Sequence, residues 1–295
     1  MALSSHNKAL LQIHFCVMLW GFTAILGKLI TLPAIALVWW RMLVVTLALL
    51  LVPRVWRNLR VLPGRLVAIY SGIGAVVALH WLTFYGAIKL ANASVAVTCV
   101  ALSPVFLALV EPWIARRAFD LRELLLGMAV VPGVALVVGG MPGHMHKGLF
   151  VGVLSAVLVA IFAALNKRFV NEADALTVTG IELGAGTVLL TLLAPLLPHT
   201  GALFPLPGLH DTLWLGVLAF GCTLLPFTLS LVALRHLSTF TTQLAINLEP
   251  VYAIGLAALL FGEQRELDLR FYVGVTIIVG AVLVQPLLAS GRARR

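Results

Sequence analysis

Charged side chains are scarce in this 295-residue chain: only 11% of its residues are Asp, Glu, Lys or Arg, while 61% are hydrophobic. Soluble domains carry roughly 25% charged residues. A soluble fold of this length would leave large apolar patches exposed to water. The mean hydropathy of +1.08 therefore indicates a chain whose solvent is largely lipid, and it argues against a secreted or soluble protein.

Cysteine is also rare, and Cys16, Cys99 and Cys222 lie far apart inside apolar runs. Their odd number, with no CxxC pair and no histidine at ligand spacing, argues against a disulfide framework or a zinc site. We expect buried, unreactive thiols. The motifs of P-loops, zinc and serine hydrolases and dinucleotide-binding turns are missing too. We therefore expect no metal, no cofactor and no enzymatic activity.

Long apolar runs, by contrast, are abundant. A spanning helix needs about 20 mostly apolar residues, and the sequence contains ten such segments joined by short connections. They centre near Leu19, Val44, Val77, Leu102, Val131, Val157, Val188, Leu218, Tyr252 and Val279. The predicted fold class is all-α: a polytopic membrane protein with ten transmembrane helices. The first run, from about Leu10 to about Ile30, exceeds the about 7–15 apolar residues of a secretory signal, so we expect it to be retained.

The basic residues predict the orientation of these helices. With the N-terminus in the cytoplasm, fourteen of the 20 Lys and Arg residues fall on the cytoplasmic side, five fall on the outer side, and Arg41 lies within helix 2. Cytoplasmic loops of membrane proteins carry such an excess. We predict a multi-pass protein of a bacterial cytoplasmic membrane with both termini cytoplasmic. The net charge of +9 lies in short loops, so no nucleic acid partner is expected.

The two halves of the chain resemble each other. Matches at an offset of 146 residues join Phe84–Leu90 to Ser230–His236 and Ala101–Val105 to Asn247–Val251, while Gly21–Lys28 resembles Ala160–Lys167. Helices 1–5 and 6–10 therefore look like two copies of one unit, over residues 9–140 and 147–288. Because five is odd, the copies must cross the membrane in opposite senses. Such inverted repeats are typical of secondary transporters.

Several short motifs in this order carry a family resemblance. They are Trp20-Gly21-Phe22, Arg41, His80-Trp81 through Tyr85-x-Ala87-Ile88, Pro104, Pro250, and Leu260-Phe261-Gly262-Glu263 before a Gly-rich helix 10. Over residues 9–288 the chain resembles the EamA-type families of the drug/metabolite transporter superfamily. The resemblance implies a cytoplasmic-membrane carrier of small metabolites, often an exporter of amino acids. One departure is Arg116-Arg117, which stands where the second half has Gly262-Glu263, and the resemblance does not fix the substrate.

Glu249 is the first candidate for function. An ionisable side chain at the centre of a membrane helix costs about 2.5–3.5 kcal/mol on insertion scales, so it calls for an explanation. Glu249 precedes Pro250, which frees the carbonyl of Ile246, and Gln243 and Asn247 lie nearby. This polar cluster could bind a substrate ammonium group or a proton. The alternative is a neutral or paired glutamate bonded to a neighbouring helix.

An aromatic stretch in helix 3 is the second candidate. His80, Trp81 and Tyr85 lie within six residues, and His80 aligns with Pro226 of the other half, so it breaks the repeat. A cavity lined by these rings, with Trp20 of helix 1, would suit a partly apolar solute. The alternative is a core histidine bonded to a backbone carbonyl, with aromatic rings that only pack.

The other polar residues within helices favour structural roles. Arg41, about a third of the way in from the outer surface, could bind a carboxylate, or it could pair with an acid or a helix end. Glu111 and Glu182 are expected in contact with solvent at the cytoplasmic ends of helices 4 and 7. Asn166 is expected to cap the cytoplasmic end of helix 6.

Together these features predict alternating access around one solute site near mid-membrane, with the helices of Pro104 and Pro250 flexing. Export of an amino acid or similar small metabolite is the first hypothesis, and proton coupling stays open. Import of a small solute is the main alternative. A channel or an intramembrane enzyme has less support, because the sequence shows neither a ring of like charges nor convergent catalytic groups.

Overall fold

The computed structural model describes residues 4–197, 201–246, 248–261 and 268–290, apart from the side chains of residues 240, 243, 244 and 282–290. Within these ranges all regular structure is helical. Nine of the ten predicted centres fall in a helix of their own and the tenth, Leu102, lies at the break between the two pieces of α4, so the all-α prediction is confirmed. The segments are α1 Ser5–Leu29, α2 Ala34–Leu50, α3 Gly64–Leu90, α4 Ala93–Val100 and Ser103–Ala115, α5 Leu121–Met128 and Val131–Gly139, α6 His146–Phe169, α7 Ala175–Leu193, α8 Leu209–Leu234, α9 Thr239–Ile246 and Glu249–Phe261, and α10 Leu269–Ser290.

Most of these segments have the length and composition of membrane-spanning helices. In the described part of the chain, seven pass this test alone, namely α1 and α3 to α8. The helix α2 passes it only with the surface helix Pro53–Val61, to which it is joined at a bend of 87°. The second piece of α9 and the stretch Leu269–Ala281 of α10 are shorter apolar helices. The architecture is that of a polytopic membrane protein.

Packing between the helices follows a pseudo-twofold pattern. The helix α3 packs on α6 as α8 packs on α1, and α4 packs on α6 as α9 packs on α1. Equivalent helices also meet across the centre, in the pairs α2 with α7, α4 with α9 and α5 with α10. Short connections make successive helices antiparallel, so five helices per half give the two halves opposite directions. The structure therefore contains two inverted five-helix repeats.

Two basic side chains show the inversion at the helix ends. We call the face at which α1 begins the near face and the face at which it ends the far face. Lys89, at the end of α3, donates to the Ile30 carbonyl at the far-face end of α1 (2.5 Å). At the offset of 146 residues, Arg235 donates to the Val170 carbonyl at the near-face end of α6 (3.2 Å). Each cation thus binds the negative end of an equivalent helix, but on opposite faces.

The central helices of both halves are interrupted at matching positions. The helix α4 breaks at residues 101–102, before Ser103-Pro104, and α9 breaks between Ile246 and Glu249, before Pro250. Both begin with a polar cap, since Asn92 accepts from the Val95 amide (2.9 Å) and Ser238 from the Thr241 amide (3.0 Å). A proline removes one backbone donor and crowds the preceding turn. Pro104 and Pro250 therefore lie directly after the breaks, at the centre of the bundle.

Glycines allow two close helix crossings. Gly133 of α5 and Gly274 of α10 face each other, and a Cβ on either would collide with the backbone of the other helix. Gly74 of α3 lies against the backbone of α7 at Glu182, where a Cβ would also collide. Small residues at such crossings are the usual means of packing helices closely in lipid. The second crossing fixes the position of Glu182 relative to α3.

Candidate functional site

A cavity lies between the two halves, next to both helix breaks. Its volume is about 110 Å³, several times the about 10–15 Å³ that one water molecule needs on a comparable measure. The lining residues come from α1, α2, α3, α4, α6, α8 and α9. They are Trp20, Thr23, Arg41, Val77, His80, Trp81, Phe84, Val100, Val159, Phe162, Ala163, Asn166, Phe227, Ser230, Leu231, Leu234, Thr239, Thr242, Ile246 and Glu249.

The cavity extends further towards the near face than towards the far face. Leu234 and Thr239, which line it, are the near-face terminal residues of α8 and α9. On the far side, the lining stops at Thr23 of α1 and Phe84 of α3, each six residues before the helix end. At 1.5 Å per residue, this leaves about 9 Å of packed helix between the cavity and the far face.

Arg41 is a fixed cation in the cavity wall. It is only 2% exposed, and its guanidinium donates to the Thr223 hydroxyl (2.5 Å), the Tyr85 hydroxyl (2.9 Å) and the Cys222 carbonyl (3.4 Å). It also lies 3.7 Å from the ring centre of Trp81, in cation–π geometry. Five N–H groups are available on a guanidinium, so two remain for a ligand.

The local structure of α8 provides two of these partners. Its middle turn, Val217–Leu224, is a π-helix. In a π-helix each backbone hydrogen bond spans five residues, so the helix is wider than an α-helix and its carbonyls are less well aligned with their amide donors. The Thr223 hydroxyl donates to the Leu218 carbonyl (2.6 Å) and leaves its lone pairs facing Arg41. This turn therefore positions the charge of α2 from the other half of the molecule.

Glu249 is the acidic group of the same cavity. Its side chain is 9% exposed, and it begins the second piece of α9. The positive end of that helix piece favours a negative charge there. Among the described residues, no hydrogen bond or ion pair involves its carboxylate, and Arg41 lies in the wall of the same cavity. A cation and an acid that has no partner in the described part of the chain thus line one cavity.

Aromatic rings form most of the remaining wall. Trp81 meets Phe227 edge-on with ring centres 6.0 Å apart, and Phe227 contacts Phe162 at 5.6 Å. His80 lines the cavity while its Nδ1 lies 3.0 Å from the Ser155 carbonyl and 2.8 Å from the Ser155 hydroxyl. A bond from Nδ1 to the carbonyl leaves Nε2 as the acceptor of a neutral ring. His80 is therefore bonded to a backbone carbonyl, as in the structural interpretation, and it also lines the cavity, as in the functional one.

The structure brings most of the predicted site residues together. Trp20, His80, Trp81 and Glu249 all line the cavity. Tyr85 is fully buried behind this surface, where its hydroxyl holds Arg41. The Gln243 side chain and the whole of Asn247 lie outside the described residues, as do Gly262 and Glu263. Pro104 and Pro250 are buried at the two helix breaks.

Arg41 is tied to several neighbours, as a structural role requires, but it belongs to the cavity wall as well. The expectations for three other residues need correction. Glu182 is completely buried rather than solvated, and Asn166 is 2% exposed and lines the cavity rather than capping a helix at the surface. Glu111 is buried too, and it accepts a bond from Arg117 (2.8 Å) at the near face.

The near-face half of the cavity is polar, which the sequence did not reveal. Neither amide atom of Asn166 has a hydrogen-bond partner among the described residues, and the Thr239 hydroxyl has none there either. Asn166 precedes Lys167, which reaches past the cavity to the Leu234 carbonyl (2.6 Å). A polar pair at a helix end usually indicates the membrane surface. In the structure α6 continues to Phe169, which places Asn166 about one turn before the end of the helix.

The described residues contain no cluster of His, Cys, Asp or Glu that could hold a metal ion. All three cysteines are buried, which confirms the burial predicted for them. Two inverted repeats around a cavity, next to broken helices, are the architecture found in many membrane transporters.

Comparison with known proteins identifies the family. Residues 7–139 and 146–285 each match the EamA-like transporter family, so the chain belongs to that family and is a membrane transporter of small solutes. A solved structure described only as "Crystal structure of protein" is similar over 96% of this chain and 99% of its own, with 18% identity and a TM-score of 0.70. That likeness shows the fold alone. The sequence matches none of the curated proteins compared with it.

Proposed function

We propose that this chain exports an amino acid, or a similarly small zwitterionic metabolite, across the cytoplasmic membrane by alternating access. The observation that carries the proposal is that Arg41 and Glu249 line the same aromatic-walled cavity. A carrier for a simple cation or anion would need only one of these charges. Both would be costly to bury without a ligand that matches them.

The two charges fit the two ends of an amino acid. Among the described residues, two N–H groups of Arg41 have no partner and could bind a carboxylate, and the Glu249 carboxylate has none and could bind an ammonium group. The rings of Trp81, Phe162 and Phe227 would then face the side chain of the solute. A zwitterion adds no net charge to the cavity, so it would leave the bundle electrically balanced during transport.

The helix breaks supply a means of changing access. We propose that the repeats over residues 9–140 and 147–288 rock against each other about the interrupted centres of α4 and α9. In the present state the cavity reaches the near-face helix ends. On the far side Asp211 bonds the Thr31 amide (2.9 Å) and hydroxyl (2.7 Å), and Trp39 stacks on Phe204 (4.2 Å). Opening towards the far face would break these contacts.

The near face is proposed to be cytoplasmic. Eleven described Lys and Arg residues lie at this face, namely Lys8, Arg54, Arg57, Arg60, Arg65, Arg116, Arg117, Arg122, Lys167, Arg168 and Arg235. Only Lys28, Lys89, Lys147 and Arg270 lie at the far face. This excess follows the positive-inside rule. A cavity that reaches the cytoplasmic face is then placed to load solute for export.

Counterflow in proteoliposomes tests this function. Vesicles with purified protein are loaded with one unlabelled amino acid, diluted, and supplied with the same amino acid in tritiated form; nucleosides and putrescine serve as comparison probes. A carrier gives transient, saturable accumulation of label, and the proposal predicts it for at least one amino acid. A non-saturating flux would indicate a channel, and a chemically altered label an enzyme.

The direction of transport needs a second measurement. In cells that express the protein, efflux of the preloaded amino acid should accelerate relative to cells that express Glu249→Gln. Faster uptake with unchanged efflux would favour the importer. Because Glu249→Gln preserves the shape of the side chain, its loss of activity would be due to the missing charge.

A further inference from the structure

Glu182 on α7 is a second buried acid, and it lies outside the cavity wall. It is 0% exposed, and neither carboxyl oxygen has a hydrogen-bond partner among the described residues. The close crossing with Gly74 of α3 holds its backbone in place, so the side chain cannot reach the surface by a small shift. An ionised carboxylate without a partner is very costly in a low-dielectric interior. The form that fits this position is the neutral acid.

The position of Glu182 is equivalent to that of Arg41. Arg41 is the eighth residue of α2, which starts at the far face, and Glu182 is the eighth residue of α7, which starts at the near face. The inverted repeat thus places one ionisable group two turns inside each face. Arg41 has three hydrogen-bond partners, whereas the Glu182 carboxyl has none among the residues that the structure describes. The partners of Arg41 stabilise its charged form, whereas the Glu182 carboxyl can gain or lose a proton.

Asn166 connects Glu182 to the cavity. It is a buried polar neighbour of the Glu182 carboxyl, and neither side chain has a hydrogen-bond partner among the described residues. Its other side lines the cavity. A primary amide has both donor and acceptor atoms, so it can donate to a carboxylate and accept from a carboxylic acid. It therefore suits both protonation states of its neighbour.

No described cation neutralises Glu182 from the surrounding elements. Arg41 on α2 is held by the three partners above, and Arg54 on the surface helix pairs with Asp174 (2.6 Å). Arg235, after α8, binds the carbonyls of Val170 and Ala173.

On the neighbouring helix α3, Arg65 is exposed at the near-face start and Lys89 binds the Ile30 carbonyl at the far-face end. The same helix presents Tyr70 and His80, which bond the Phe169 carbonyl (2.8 Å) and Ser155 respectively. A proton is therefore the available cation for this site.

We propose that Glu182 binds and releases one proton in each transport cycle, through Asn166 and the cavity, and thereby couples solute movement to the proton gradient. The inference rests on the proposed function. One O–H bond forms when a hydronium ion in the cavity gives its proton to the carboxylate. The same bond breaks when the acid returns the proton to water on the other side, and no further reactant is needed.

Glu182→Gln tests the coupling, because glutamine keeps the shape of the neutral acid but cannot release a proton. Glu172→Gln, at an exposed near-face position, is the matched control. With one proton per solute, an imposed gradient of one pH unit should drive about tenfold accumulation of the tritiated amino acid identified by counterflow. Glu182→Gln should lose this accumulation and keep counterflow without a gradient, while the control should behave as the wild type.

The other outcomes overturn the inference separately. Gradient-driven accumulation by Glu182→Gln would show that the coupling lies elsewhere. The inference would also be refuted if the wild type showed normal counterflow but no accumulation of label in response to the pH gradient. Absence of wild-type counterflow for every probe would refute the proposed function and the coupling with it.

Infrared spectroscopy gives a reading that needs no solute and no active variant. The purified wild type should show the C=O stretch of a buried carboxylic acid, which Glu182→Gln removes and Glu172→Gln retains. The band should also shift in Asn166→Leu, because that change removes the polar neighbour. Spectra without such a difference band would overturn the assignment of Glu182 as a neutral, proton-carrying group.

Discussion

Glu249→Gln should weaken the binding of a zwitterion far more than that of an anion. The carboxylate of Glu249 has no described partner, so its charge is available to the ligand. A hydrogen bond to a charged group contributes about 1.5–3 kcal/mol, which corresponds to about 10- to 140-fold in affinity. The assay is displacement of the tritiated amino acid by two ligands, the amino acid itself and its analogue in which hydrogen replaces the ammonium group.

The comparison of ligands makes this prediction specific. The analogue lacks the group that Glu249 is proposed to bind, so the substitution should leave its affinity unchanged or improve it by removing a repulsive charge. Glu172→Gln should affect neither ligand. Equal losses for both ligands in Glu249→Gln would mean that the site is deformed. No loss for either would mean that Glu249 does not contact the ammonium group, and the orientation proposed for the solute would be refuted.

Three further predictions concern positioning, packing and orientation. Tyr85→Phe removes a 2.9 Å bond to the guanidinium and should weaken amino acid binding by about 0.5–1.5 kcal/mol, measured by the same displacement. Gly133→Val should lower the yield of folded protein in size-exclusion profiles because its side chain collides with α10, while Gly139→Val on the same helix meets open space and should not. In intact cells an impermeant maleimide should label Lys147→Cys but not Arg60→Cys; the reverse pattern would invert the predicted orientation.

Much of the fold could be predicted because membrane helices leave a one-dimensional signal. About 20 apolar residues are needed to cross lipid whatever the neighbours are, so the ten centres were visible in the sequence. The repeat was visible through residues at helix ends and breaks. Lys89 and Arg235 bind equivalent carbonyls, and Pro104 and Pro250 follow equivalent breaks.

The site could be predicted only in part, because sequence gives the depth of a residue but not the side it faces. Helices such as α6 and α7 are apolar all round, and lipid tails are as apolar as the protein interior, so no stripe marks the inner surface. Asn166 and Glu182 could therefore be placed near the right end of their helices and still be given the wrong surroundings. The bond from Arg41 to Thr223 spans 182 residues and depends on a π-helical turn that no local pattern announces.

The equivalence of the two halves leads to a last prediction, about stability. Lys89 and Arg235 each bind the carbonyl end of the first helix in their own half, on opposite faces. Because each bond involves a charged donor, Lys89→Met and Arg235→Met should each destabilise the protein by about 1.5–3 kcal/mol. Thermal denaturation in detergent should then give similar decreases in Tm for both, and none for the exposed control Lys147→Met. Arg235 has a second bond, to the Ala173 carbonyl. If the two decreases in Tm differ, Arg235→Met should therefore show the larger one. A large decrease for Lys89→Met alone would contradict the structural equivalence of these two helix ends.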